Sequence, residues 1–214
     1  MARAGAPRTC DAARRAGNLV ISAVERTALK EWAVLVDAMA RGEITAMVRK
    51  GGIRERRAGF ELRHDRFLFY PTFFHENVDE VAPRLRPTLD ASHAARPPAG
   101  VVRITHLAEA VAVWTVRDAG LLPRVEHEHG MAPDAVQSRF AYRGIPEIRV
   151  VATRVLALPR PADVPEAKRY AGCVSWLELD ADVDVSGAQP VIPAEELARR
   201  VAGITAALGA PDGR

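Results

Sequence analysis

The chain has few cysteines and no long apolar run. Its two cysteines, Cys10 and Cys173, are separated by most of the 214 residues. They form neither a disulfide framework nor a paired metal-binding motif, so they indicate a reducing compartment, and we expect a cytoplasmic protein. No apolar run approaches the ~18 residues of a helical membrane span, so we expect no membrane association. The Walker A and Rossmann glycine patterns do not occur either.

The net charge of +3 comes from the first 26 residues, which hold five Arg against two acids. Basic and acidic groups balance in the rest of the chain, so the high isoelectric point does not by itself indicate a polyanionic partner. We predict that residues 1–26 form a disordered Arg/Ala-rich tail, that 27–209 form a single α+β domain and that 210–214 form a second tail. Residues 88–100 are polar and proline-bearing, so we predict a surface loop there, which would be the boundary if the domain has two lobes.

Aromatic and basic residues are concentrated in one stretch, Met47–His75. It holds six of the nine Phe and Tyr residues of the chain, and seven Arg or Lys against three acids. By contrast, Glu178–Glu196 carries six acids and no base. A local basic face can bind an anion although the body of the chain is neutral, so Met47–His75 is the first place to look for a site.

Local patterns predict an α+β fold with a mixed, mainly antiparallel sheet, an N-terminal amphipathic helix and a C-terminal helix. Apolar residues at three- and four-residue spacing place the first helix over Ala28–Arg41, and Gly42 is expected to end it. Prolines are expected to end two strands, Pro71 the second and Pro159 with Pro161 the fifth. The strands are predicted at Ile44–Arg49, Phe60–Tyr70, Val101–Thr105, Ala110–Val116, Ile145–Leu158 and Cys173–Leu179, and the later helices at Asn77–Leu85, Pro133–Phe140 and Ala194–Leu208.

The turn that starts at Arg49 is a candidate phosphate site. Two glycines leave backbone amides accessible between cationic side chains, which is the chemistry of an anion-binding nest. The phosphate-binding candidates are Lys50, Gly51, Gly52, Arg54 and Arg66. The competing interpretation is a solvated hairpin tip in which the glycines only make the turn.

The densest cluster of titratable groups follows this turn. Its candidate catalytic residues are Glu55, Glu61, His64, Asp65 and His75. A divalent metal would be the cofactor if its carboxylates served a phosphodiesterase. On a regular strand, however, Asp65 faces away from His64, and an Asp–Arg ion pair at a strand end is the competing interpretation.

Two further motifs are interpreted as structural. His127 and His129 would share one face of an extended segment, but zinc needs another ligand and only His106 is available, so we predict a loop and no metal site. Cys173 lies in a predicted strand and has no partner His nearby in the sequence, so we expect a small core residue.

Three segments of the sequence together resemble a known family. They are KGGIRE (Lys50–Glu55), HDRFLFYPTFFHE (His64–Glu76) and YAGCVSW (Tyr170–Trp176). The sequence is similar, from about Ala28 to Leu179, to the bacterial and archaeal family called domain of unknown function 1802. The resemblance implies that the Lys50 turn and the run from His64 to His75 define the family, and it implies no activity.

Three functions remain open from the sequence. The favoured one is a nucleic-acid-associated or phosphate-binding module that uses the basic Gly-Gly turn. The second is a metal-dependent phosphodiesterase or nuclease. The third is a non-catalytic interaction module whose basic stretch meets an acidic partner, such as Glu178–Glu196 of another copy.

Overall fold

The computed structural model describes residues 23–50 and 60–213. Seven strands and four α-helices alternate with short 3₁₀ turns. The strands are β1 (Val24–Trp32), β2 (Ala46–Arg49), β3 (Arg66–Thr72), β4 (Val101–Val116), β5 (Ile148–Pro165), β6 (Trp176–Asp184) and β7 (Gln189–Pro190). The helices are α1 (Ala33–Ala40), α2 (Leu89–Ala94), α3 (Pro133–Ala141) and α4 (Ala194–Leu208). No helix of the described ranges is long and apolar enough to cross a membrane.

The strands form one mixed sheet. Its order is β2-β5-β4-β3-β1-β6, and β7 pairs with β5 outside this path. The β1–β3 pair is parallel, with Lys30 opposite Tyr70 and Trp32 opposite Thr72, and the other pairs are antiparallel. The predicted α+β class, the mainly antiparallel sheet and the C-terminal helix are confirmed.

Both faces of the central strands are covered. Successive residues of a strand point to opposite faces, and neighbouring residues accordingly enter two different apolar clusters. Leu29, Phe67 and Phe69 belong to the larger cluster, with α1 and α3. Leu68 and Tyr70 belong to the smaller one. The sheet therefore separates two cores, and each strand end carries side chains from both.

The predicted start of the first helix was wrong. Residues up to Trp32 form β1, and the helix begins only at Ala33. Leu29 and Trp32 do have helical spacing, but β1 lies between β3 and β6, and Ala28 and Leu29 are both fully buried. A strand that is covered on both faces loses its alternating pattern and resembles a buried helix in sequence.

The prolines did not end their strands. Pro71 lies within β3. The pairing of β3 with β4 reaches only Leu68, so beyond that residue the β4 side of β3 forms no hydrogen bonds between strands. A proline, which has no N–H, is therefore tolerated there. Pro159 and Pro161 lie within β5. The register with β4 jumps there, from Ala157 opposite His106 to Ala162 opposite Ile104, which is a bulge where no ladder hydrogen bond is needed.

Residues 88–100 were predicted to be a loop, but they include the short helix α2. Leu89 anchors this helix in the larger core, and Pro87 lies inside the preceding 3₁₀ turn, Pro83–Thr88. The division of the chain into a single domain with two lobes stays a prediction.

Candidate functional site

A cleft of about 1050 Å³ opens at the carboxyl ends of β1 and β3. Because these strands run parallel, the segments that follow both of them leave the sheet at this edge. After Thr72 the chain continues through Phe73 and Phe74 to His75, which has a left-handed backbone with φ 58°. The opposite wall comes from residues 96–103 and 166–175 and from α3. The cleft thus joins parts of the chain that are far apart in sequence.

Aromatic rings and guanidinium groups are paired along the cleft. The Arg96 guanidinium lies 4.9 Å from the ring centroid of Phe73, and that of Arg139 lies 4.9 Å from the ring of Trp32. Phe74 is 61% exposed. An exposed ring beside cations held over other rings is the kind of surface on which planar ligands stack.

An ion pair closes one wall of the cleft. Arg49 at the end of β2 donates from Nη1 to the carboxylate of Glu31 at 3.2 Å and to the carbonyl of Lys30 at 3.1 Å. Both side chains of the pair are nearly buried, with 12% and 8% exposed. The Arg49 guanidinium also lies 5.1 Å from the ring of Phe60. The charge of Arg49 is therefore neutralised within the protein.

Two lysines of the cleft use their ammonium groups to hold neighbouring chain segments. Lys50 Nζ donates to the carbonyls of Phe140 at 2.9 Å, of Glu147 at 2.7 Å and of Ile145. An ammonium group has three N–H donors, so these bonds engage them all. Burial lowers the pKa of Lys50 and also that of Lys30.

A buried carboxylate fixes the helix that starts at the cleft. The side chain of Glu76 is fully buried, and its Oε1 accepts from the amide of Val34, at the second position of α1, at 3.0 Å. Its other oxygen is hydrogen-bonded to His93 Nε2 on α2. A carboxylate at a helix amino terminus satisfies a free amide and complements the helix dipole. Glu76 therefore connects the segment after β3 to α1 and α2.

The structure brings two of the predicted site residues, Lys50 and His75, to the cleft. Glu61, His64, Asp65 and Arg66 lie before or at the amino end of β3, whereas His75 follows its carboxyl end. Seven residues of strand span roughly 23 Å, so His64 and His75 do not share a ligand. His64 packs against Trp176, with ring centroids 5.2 Å apart. Arg66 Nε lies 3.9 Å from the Glu25 carboxylate.

The remaining predicted residues, Gly51, Gly52, Arg54 and Glu55, lie outside the described residues. The chain is fixed on both sides of that segment, because the Phe60 amide donates to the Lys50 carbonyl at 3.2 Å. Their proposed roles stay predictions.

No group of three or more metal-ligating side chains occurs within residues 23–50 and 60–213. In the 126–129 segment, His127 is exposed, whereas His129 is 2% exposed and its Nδ1 accepts from the Met131 amide at 3.4 Å. The segment is the end of a 3₁₀ helix over Ala119–Glu128 and not the predicted loop.

Several acids of the stretch Glu178–Glu196 pair with arginines of the same chain. Asp182 pairs with Arg26, and Asp180 pairs with Arg169. Glu196 pairs with Arg199 and Arg200 on α4. These acids therefore already have partners within the chain, and the pairing of the stretch with another copy stays a prediction.

Sequence reasoning missed several side chains that line the cleft. Lys30 was placed on a helix, and Cys173, expected in the core, is exposed at the cleft. Tyr70 was counted only as a strand aromatic, yet its ring lies 5.7 Å from Lys30 Nζ. The parallel pairing of β1 with β3 brings them together, and nothing local in the sequence specifies that pairing.

The comparisons with known proteins give a family and several solved structures. A family model described as Domain of unknown function (DUF1802) matches residues 28–203, which confirms the resemblance seen in the sequence and extends it into α4. No curated protein matches the chain.

Solved structures of ASCH from Zymomonas mobilis are similar to this chain. ASCH itself is 13% identical with a TM-score of 0.41, and the match covers 82% of this chain and 92% of that chain. One mutant form is 15% identical with a TM-score of 0.42, covering 82% and 94%. A second mutant form is 14% identical with a TM-score of 0.37, covering 64% and 73%. A likeness at this level carries no functional argument.

Proposed function

Because the chain belongs to the family described as Domain of unknown function (DUF1802), which names no activity, we propose a function from the cleft itself. The protein binds single-stranded nucleic acid in the cleft, with bases stacked on exposed aromatic rings and phosphates bound by neighbouring arginines. The observation that carries this proposal is that the exposed Phe74 ring and the stacked Arg96 guanidinium line the same cleft.

Phe74 offers the surface that an unpaired base needs. The Phe74 ring is 61% exposed, although the centroid of the His75 ring lies 3.8 Å from its own. Stacking of a base on an aromatic ring contributes about 1–3 kcal/mol without regard to sequence. In a duplex the base faces are covered by their neighbours, so this contact favours single strands.

Arg96 is the described cation best suited to a phosphate. Arg49 and Arg139 are paired with Glu31 and Glu80, and Arg103 is paired with Asp163. In the part of the chain that the structure describes, Arg96 forms no ion pair, and its guanidinium is held against Phe73. A stacked guanidinium keeps its N–H donors free at the ring edge for phosphate oxygens.

The charge balance of the cleft limits the electrostatic contribution. Six basic and five acidic side chains line it, so few phosphates are contacted and the affinity should fall only modestly with salt. Arg54 follows the cleft residue Lys50 closely in sequence. We include it, with the amides of Gly51 and Gly52, as a further phosphate ligand in the proposal.

Fluorescence anisotropy with the full chain tests the proposal. Labelled mixed-sequence 12-mers of RNA and DNA, single-stranded and duplex, are titrated at two salt concentrations. Phe74→Ala and Arg96→Ala should each weaken single-strand binding about tenfold, the loss expected for one stacking or phosphate contact. Arg54→Ala tests the phosphate ligand beyond Lys50 in the same way.

Arg160→Ala is the matched control, because Arg160 is a highly exposed arginine on β5 outside the cleft. The basic tail is present in every variant, so its binding to polyanions cancels in the comparison. The proposal fails if the protein does not bind single strands at low salt, or if Phe74→Ala and Arg96→Ala bind as tightly as Arg160→Ala does.

A further inference from the structure

The hydroxyl group of Tyr70 is buried without a hydrogen-bond partner. Tyr70 is 3% exposed and lines the cleft, and among the described residues its Oη has no donor or acceptor within reach. A buried polar group left without a partner costs about 1–3 kcal/mol, and such groups are rare in folded proteins. Phenylalanine would fill the same space at lower cost, so the hydroxyl needs an explanation outside the folded chain.

Lys30 lies beside Tyr70 at the paired position of β1. Its Nζ donates to the carbonyls of Tyr170 and of Gly172, the second at 3.1 Å, and lies 5.7 Å from the Tyr70 ring centroid. Two of its three donors are thereby used. One N–H of Lys30 and the O–H of Tyr70 remain as donors on two side chains that line the same cleft.

Glu166 supplies an acceptor to the same part of the cleft. Its side chain is exposed and lines the cleft. Burial lowers the pKa of Lys30, and the negative charge of Glu166 opposes that shift. The same charge adds to the raised pKa of Tyr70. Burial is the larger cause for Tyr70, whose pKa is raised to about 12. The phenol therefore keeps its proton at any ordinary pH and can act as a donor. We call Lys30, Tyr70 and Glu166 the Lys30 corner.

We propose that the Lys30 corner recognises the lactam edge of a nucleobase, in which a carbonyl group stands next to an N–H group. The carbonyl oxygen accepts from Tyr70 Oη and Lys30 Nζ, and the adjacent N–H donates to the Glu166 carboxylate. Uracil and guanine carry such an edge. This inference rests on the proposed function, because it assigns a base preference to the same cleft.

The arrangement disfavours the other ligands that the cleft could take. Cytosine and adenine present an amino group at the position of the carbonyl, so a donor would face the two donors of the protein. Their ring nitrogen, which is an acceptor, would face the carboxylate, which is also an acceptor. A phosphate would satisfy Lys30 and Tyr70 but would be repelled by Glu166. A site whose buried polar groups are left unpaired by the wrong ligand discriminates strongly against that ligand.

A comparison of the affinities for two matched strands tests the inference. The whole chain is titrated with labelled ten-residue oligouridylate and, separately, with labelled oligocytidylate. The two strands have the same backbone and ring size, but their bases exchange donors and acceptors at the edge in question. We expect oligouridylate to bind about tenfold more tightly. Tyr70→Phe should reduce this ratio to about one by weakening the binding of oligouridylate. Glu166→Gln should also reduce the ratio, because the glutamine amide can donate to the ring nitrogen of cytosine and so tightens the binding of oligocytidylate. Tyr142→Phe, another tyrosine of the cleft, is the control and should keep the ratio.

The thermal midpoint of Tyr70→Phe separates recognition from a structural role. If the hydroxyl serves a ligand, its removal leaves the midpoint of the free protein unchanged or higher. A clearly lower midpoint would overturn the inference, and so would a wild-type ratio near one or a ratio that Tyr70→Phe does not alter. If neither strand binds, the proposed function itself fails, whereas equal binding of both strands overturns only the base preference.

A second experiment tests whether the base that is recognised belongs to a strand or to a free nucleotide. Uridine monophosphate and cytidine monophosphate are added as competitors of labelled oligouridylate. Displacement by the uridine nucleotide alone supports the same lactam chemistry with a free nucleotide as the ligand. Equal displacement by both nucleotides contradicts it.

Discussion

Arg49 on β2 and Glu31 on β1 form an ion pair between strands that are not neighbours in the sheet. Three strands, β5, β4 and β3, lie between them in the sheet order, yet Arg49 Nη1 reaches both the Glu31 carboxylate at 3.2 Å and the Lys30 carbonyl at 3.1 Å. The sheet therefore curls until its β2 edge returns to β1. This closure brings Lys50, which follows β2, to the same cleft as Lys30.

We expect Arg49→Met to lower the free energy of unfolding by about 3 kcal/mol, because it leaves the buried Glu31 carboxylate without its cation. The double variant with Glu31→Met should recover much of this loss, since two apolar side chains of similar size carry no charge to bury. Urea denaturation measures both. The exposed pair of Arg103 with Asp163 supplies the control, and Arg103→Met should change stability little. If Arg49→Met and Arg103→Met changed the free energy of unfolding equally, this would contradict the role of Arg49 in holding the β2 edge of the sheet against β1.

Gly130 should not tolerate a side chain. A Cβ there would lie 2.4 Å from Leu35 Cδ2 and 2.6 Å from Leu85 Cδ1, so Gly130→Ala should destabilise the protein by about 1–3 kcal/mol through overpacking. A Cβ on Gly203 in α4 would instead meet no neighbouring group within 4 Å. Gly203→Ala should therefore stabilise the protein by up to about 1 kcal/mol through helix propensity. Opposite shifts of the thermal midpoint are expected, and shifts of the same sign would refute this interpretation of the core.

His129 should make the protein less stable in mild acid. Burial lowers its pKa from 6.5 to about 4, and the charges of Arg84 and His127 add to the effect. The unfolded chain therefore takes up the proton first as the pH falls. The free energy of unfolding should decrease between pH 6.5 and about 4, by up to about 3 kcal/mol, and should then level off.

Urea denaturation at several pH values measures this decrease. His129→Gln keeps an acceptor for the Met131 amide but does not titrate, so most of the slope should disappear. Burial also lowers the pKa of His106, and that contribution should remain in the variant. An unchanged slope in His129→Gln would assign the acid sensitivity to other groups.

Glu76→Ala should loosen the start of α1. The variant loses the hydrogen bond from the Val34 amide and the favourable charge at the helix amino terminus, a loss of about 1–2 kcal/mol. His93→Ala removes the partner of the other oxygen but leaves the cap in place, so its effect should be smaller. Hydrogen exchange of the first amides of α1 should rise in Glu76→Ala and not in His93→Ala. Equal exchange in both would show that the cap is not what protects them.

The elements that the sequence predicts well have strong local signals at both ends. α4 begins and ends at the predicted residues, Ala194 and Leu208, with two glutamates in its first turn and Gly209 after it. α3 begins at Pro133 as predicted and ends one residue beyond Phe140. Such caps depend on only a few neighbouring residues, so the sequence specifies them without knowledge of the tertiary structure.

The elements that the sequence predicted wrongly depend on distant parts of the chain. β1 resembles a helix because β3 and β6 flank it in the sheet and both of its faces are covered. Pro159 and Pro161 can lie inside β5 because β5 bulges at these positions, where its residues have no partner in the register with β4. The cleft depends still more on distant residues, since Lys30 contacts residues 140 positions later. Spacing within one segment cannot reveal such a site.

The pairing of β1 with β6 sets a time at which the cleft can first exist. β1 ends at Trp32 and β6 begins at Trp176, and at roughly 5–20 residues per second the ribosome takes on the order of ten seconds to make the chain between them. Until then the β1 strand has an open edge, and the Lys30 ammonium lacks the carbonyls that hold it. The nascent chain therefore lacks the cleft and is open to strand-to-strand aggregation. Folding dominated by such distant pairings is expected to be slow.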